Sequence, residues 1–87
     1  MGYYKDKVNE ETEKMILLKV GARKRLYDCA GGIREDCEAD GYLENIRENV
    51  KTMVMILALL DDQQKNIDWA KQRLEEHPES DDEEAEG

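Results

Sequence analysis

The sequence predicts an all-α fold: an antiparallel hairpin of two long helices with a short helical turn between them, assembling into a multi-chain helical bundle. Three observations predict it. The chain of 87 residues is 40% charged and 39% hydrophobic, with one Pro and no Phe, a composition of long helices and coiled coils rather than of sheets. Apolar residues recur at helical spacing on both sides of a glycine pair, and no strand-like alternation is present. Finally, one segment of the second helix is apolar on every face, which a single partner helix cannot cover.

The first helix is predicted from Val8 to about Ala30. Val8, Met15, Leu18, Ala22, Leu26 and Cys29 form its stripe, widened by Ile16 and Leu17. Asn9 or Asp6 serves as N-cap, and Glu10, Glu11 and Glu13 then fall in the first turn, where the helix dipole favours negative charge. Gly21 inside this helix costs about 1 kcal/mol relative to Ala. Gly31-Gly32 is expected to end it, because two adjacent glycines cost a helix interior about 2 kcal/mol and readily supply a left-handed C-cap. The stretch from Ile33 to Asp40 then forms one or two turns of its own, and Asp40-Gly41 caps the next helix.

The second helix is predicted from Tyr42 to about Glu76. Leu43, Ile46, Val50, Met53, Leu57, Leu60, Gln64, Ile67, Lys71 and Leu74 are separated by alternating steps of three and four, a heptad seam. His77-Pro78 ends it, since Pro cannot continue a helix and disfavours helix in the residue before it. A short connection implies antiparallel packing. With the reversal centred near Asp36, the Met15–Leu18 block meets the Met53–Leu60 block, and Tyr3 and Tyr4 fall beside Asp68 and Trp69. Residues 1–77 are thus expected to be the hairpin domain. Residues 78–87 are expected to be a disordered acidic tail, too poor in apolar groups to order themselves.

Charge divides along the same boundary. The formal net charge is −9, but His77 to Gly87 holds six acids and no Lys or Arg, leaving residues 1–76 at −3. A near-neutral body with a polyanionic extension disfavours direct nucleic-acid binding through the whole surface. The N-terminus lacks an apolar leader and no apolar run approaches the ~20 residues that span a bilayer, so the expected location is cytoplasmic, with no membrane partner. Cys29 and Cys37, eight apart, match no zinc or redox spacing and are expected to be free thiols, with a thiol switch across the glycine turn as the alternative.

The segment Met53 to Leu60 carries the functional argument. Left exposed, its faces amount to a few hundred Å² of apolar surface, an aggregation liability unless another chain covers them. The expected oligomer interface comprises Met15, Leu18, Val50, Met53, Val54, Ile56, Leu57 and Leu60. A second candidate set, for an anionic ligand such as a nucleotide, comprises Tyr3, Tyr4, Lys5, Lys7, Lys19, Arg23 and Arg25, in which Lys19 and Arg23 share a helix face and the tyrosines with Trp69 form an aromatic and cationic group. Each set has a plainer reading, as a solvated charged face and as a tyrosine flap packed on a tryptophan. Gln64 and Lys71, polar on the seam, are expected to set register or oligomer state.

The hairpin resembles secreted WXG-type proteins in outline, but Ala30-Gly31-Gly32-Ile33 occupies the bend where their Trp-x-Gly turn would stand. A dimer of hairpins is also similar in architecture to small plasmid RNA-regulatory bundles. Neither likeness carries a function. No metal, cofactor or catalytic constellation is expected, because no nucleophile, base and orienting group can be assembled. The expected function is that of a nonenzymatic, self-associating helical adaptor or inhibitor acting by protein–protein binding, in the manner of small acidic phage-encoded anti-defence or regulatory proteins, with the tail as a nucleic-acid-mimic element. The alternative is an oligomeric binder, or sponge, of an anionic small ligand such as a nucleotide.

Overall fold

The computed structural model describes residues 2–39 and 42–78. Two helices pack against each other, α1 over Tyr3–Glu38 and α2 over Leu43–Glu76, and no strand occurs among the described residues. The expected cap at Asp40-Gly41 and the acidic stretch beyond Pro78 lie outside them.

α1 differs from expectation at both ends. It begins at Tyr3 rather than Val8, with the Asp6 amide donating to the Gly2 carbonyl at 3.0 Å. Asp6 and Asn9 are therefore helical residues and not caps, and Glu10, Glu11 and Glu13 sit past the first turn. At the other end α1 runs through Gly31-Gly32 to Glu38, so Ile33 and its neighbours continue the helix instead of forming separate turns. The reason is visible in the stripe: Leu26, Cys29, Ile33 and Asp36 keep three-and-four spacing across the glycines, and all four are half-buried. Packing of a continuous stripe outweighs a propensity cost of about 2 kcal/mol. Asp36 is consequently a residue of α1 and not the centre of a reversal.

α2 starts with the Tyr42 carbonyl accepting from the Asn45 and Ile46 amides at 3.0 and 3.2 Å, and ends with the His77 amide donating to the Arg73 carbonyl at 3.0 Å. Pro78 follows, as the sequence requires.

The chain divides into two compact units, one of residues 1–17 with 61–87 and one of residues 18–60. In the first, described over 2–17 and 61–78, Met15, Ile67 and Ala70 form the apolar core, and Glu11 and Gln63 are buried with them. Tyr4 packs its ring at 5.1 Å from Tyr3 and 6.3 Å from Trp69, both edge-on, and stacks on His77 at 6.0 Å. The expected meeting of Tyr4 with Trp69 is thus present. In the second unit Ala22 and Ile56 are buried. Here Gly32 is the point of close approach, since a Cβ on it would stand 2.9 Å from Nδ2 of Asn49. Gly31, its neighbour, would meet nothing within 4 Å.

Candidate interaction surface

The inner seam of α2 is rotated from its expected course. One heptad row, Ile46, Met53, Leu60, Ile67 and Leu74, is half-buried or buried as expected. The companion row is not Leu43, Val50, Leu57, Gln64 and Lys71, all of which are exposed, but Asn49, Ile56, Gln63, Ala70 and His77. Alternating steps of three and four fit both choices. The observed row is the one with small or polar side chains at Asn49, Gln63 and Ala70, which permits close backbone approach, and it leaves bulkier Leu and Val side chains outside. Apolar periodicity favoured the wrong row because the largest hydrophobes do not lie on the packed face.

The Met53–Leu60 segment shows the consequence. Ile56 is buried and Met53 and Leu60 are half-buried, while Val54, Met55, Leu57 and Leu59 remain 60%, 67%, 50% and 57% exposed. Of the expected interface residues, Leu18, Val50, Val54 and Leu57 are therefore open to a partner. Met15 and Ile56 are in the core of the chain itself, because each sits on the face its helix turns inward. The expected interface set did not single out Met55 and Leu59, although the Met53–Leu60 segment contains both, and Leu43, one heptad before Val50, was placed on the inner seam. Their signal was the all-round hydrophobicity itself, which demands exposed residues on more than one flank.

The buried polar pair was also missed. The Gln63 amide donates from Nε2 to the Glu11 backbone carbonyl at 2.8 Å and to Glu11 Oε2 at 2.7 Å. Lys7 and Lys14 each place Nζ at 3.4 Å from Glu11 Oε1. The Gln63 hydrogen bond holds the Glu11 carboxyl below the usual carboxylate range, burial pushes the other way, and Lys7 and Lys14 lower it further. Among the described residues no buried side-chain polar atom lacks a partner. Gln64, assigned to the seam from the sequence, is exposed and donates to Asp68 Oδ1 at 3.0 Å, and Lys71 is exposed as well. The polar seam position is the adjacent residue, Gln63.

The candidate anionic-ligand residues are placed in different settings. Tyr4 is engaged with Trp69 and His77, Lys7 with Glu10 and Glu11, and Arg73 lies over the Trp69 ring at 5.6 Å. These contacts match the plainer reading of a packed aromatic flap. Tyr3 is packed against Tyr4 but half exposed, and Lys5 is exposed. Lys19, Arg23 and Arg25 belong to the other unit. They are exposed, and among the described residues none lies within 4.0 Å of a carboxylate. Tyr27, Ala30, Gly31 and Arg34 line a shallow, open depression on α1.

Cys29 is half-buried and Cys37 exposed, both as free thiols. A switch across a glycine turn is ruled out in this geometry, because both lie on α1 two turns apart, about 12 Å along the axis, beyond the ~7 Å that a disulfide spans between Cα atoms. Among the described residues no three His, Cys, Asp or Glu side chains cluster as a metal site. Among the described residues no helix is long and apolar enough to cross a membrane. No protein-family model, curated protein or solved structure matches the chain.

Proposed function

We propose that this chain is a nonenzymatic helical adaptor that acts by binding protein, beginning with a second copy of itself. The observation that carries this reading is the outer surface of α2, where Val54, Met55, Leu57 and Leu59 all stand at least half exposed within six residues. Burying such side chains stabilises an association by about 25 cal/mol per Å² before the costs of binding are met. Light scattering across a concentration series tests it. The expected result is a mass above that of one chain that falls on dilution; a single-chain mass throughout, with a cooperative melt, would refute it.

Inhibition of a partner through charge is the version of this function suggested by the six acids after Pro78, and cytoplasmic location and a phage-type role belong to the same proposal. Deleting residues 79–87 should then weaken partner binding, and more so at low salt. A second reading, capture of an anionic small ligand, draws support from Lys19 and Arg23, one helical turn apart and without a carboxylate partner among the described residues. Nucleotides at saturating concentration should raise the melting temperature if it holds.

A further inference from the structure

Among the exposed apolar side chains of α2, Leu43, Val50, Val54 and Leu57 fall into one row. Leu43, Arg47, Val50, Val54, Leu57 and Asp61 follow one another at steps of four, three, four, three and four, and all six are exposed. This is a second heptad stripe on the same helix as the inner seam. Val54 lies one residue after half-buried Met53, or about 100° around the helix, so the stripe runs along a flank of α2 beside the inner seam. Its composition is apolar in the middle and charged at two points, with a cation toward the start of α2 and an anion further along.

The two charges are placed symmetrically. Arg47 is seven residues before Val54 and Asp61 seven after, each about 10 Å away along the axis and nearly in line with it. Among the described residues neither forms an ion pair; the nearby Lys51 is committed to Glu48 at 3.5 Å. Two copies laid side by side in parallel would oppose Arg47 to Arg47 and Asp61 to Asp61. Two copies laid antiparallel about Val54 oppose Arg47 to Asp61 twice, and bring Val50, Val54 and Leu57 of both chains together between the pairs. Like charges face to face select against the first arrangement, and opposite charges select for the second.

The geometry points to a second copy of this chain as the occupant of this stripe, docked α2 to α2 in antiparallel orientation about a two-fold axis at Val54. This rests on the self-association proposed above and specifies its face and direction. The stripe offers a few hundred Å² per copy, below the roughly 800 Å² per partner of a standard stable interface, so the dimer is a concentration-dependent one.

Sedimentation equilibrium of the full chain, from about 1 to 300 µM to bracket micromolar association, tests it with four proteins. Wild type should dimerise. Val54→Asp, at an exposed position outside the core, should abolish the dimer while leaving the helical circular-dichroism signal intact. Arg47→Asp should raise the dissociation constant about tenfold by turning two attractions into repulsions, and Arg47→Asp combined with Asp61→Arg should restore it. A dimer indifferent to Val54→Asp, or a charge swap that fails to restore, overturns this face and orientation while self-association stands. A wild type that remains one chain throughout overturns both.

Discussion

The unit built from residues 2–17 with 61–78 and the unit of residues 18–60 are both pairs of helical segments, yet they use their side chains in opposite ways. The first contains Asp61, Asp62, Gln63, Gln64, Asn66 and Asp68 on α2, a markedly polar run, and still buries Ile67, Ala70 and Gln63. The second contains the most hydrophobic run in the chain and among its eight residues buries Ile56 alone. Hydrophobicity of a segment and its share of the core are therefore separate quantities. What decides the second is which heptad row faces the neighbouring helix, and that row is chosen by how closely the backbones can approach.

The largest test of this contrast is to truncate one residue in each unit. Ile67→Ala should cost about 2–4 kcal/mol in urea unfolding, as for other buried aliphatic side chains. Leu57→Ala, which removes an isomeric side chain in a greasier setting, should cost less, about 1 kcal/mol, at dilutions where the chain is single, since Leu57 keeps half of its surface in water on folding. Equal losses would mean that the two units do not differ in the way described. Next in size is Tyr4→Ala, which removes ring contacts to Tyr3, Trp69 and His77 and should cost about 1–2 kcal/mol. Trp69 emission should shift to the red in the same variant.

Those contrasts also mark what could be read beforehand. The all-α class, the end of α2 at Pro78, the α1 stripe through Met15, Ala22 and Cys29, and the meeting of Tyr4 with Trp69 were all legible, because each follows from local periodicity or from chain length. The end of α1 was not. Gly31-Gly32 reads locally as a stop, and only the neighbouring helix, with Asn49 set against Gly32, explains why the backbone carries on. The Glu11–Gln63 pair was illegible for a similar reason: fifty-two residues separate the partners, and nothing in either local sequence distinguishes Gln63 from Gln64.

The glycines allow a smaller test. Gly31→Ala meets open space and should stabilise by up to about 1 kcal/mol, the helix-propensity difference. Gly32→Ala gains the same propensity but must displace the Asn49 amide, so its melting temperature should lie below that of Gly31→Ala. The reverse order would place the close approach elsewhere.

The smallest effect is electrostatic. Because the Glu11 carboxyl titrates lower in the folded chain than in the unfolded one, its contribution to stability is present above the ordinary value of 4.5 and is lost as pH falls through the folded value. Glu11→Gln should therefore melt below wild type at pH 7, and the gap should close as pH drops from 4.5. A gap that persists at pH 3 would assign the difference to packing.

The Glu11–Gln63 contact also bears on how the chain finds its native pairing. A seam repeating every seven residues has a near-twin arrangement in which one helix has slid by a heptad, with almost the same number of aliphatic contacts. After such a slide Glu11 would confront Ala70, a methyl group with nothing to donate, and its carboxylate and backbone carbonyl would keep only what α1 itself supplies, Lys7 and Lys14, and lose both hydrogen bonds from the other helix. The correct alignment is thereby singled out from its neighbour by one amide, which makes Gln63 a detent that stops the two helices at a single notch.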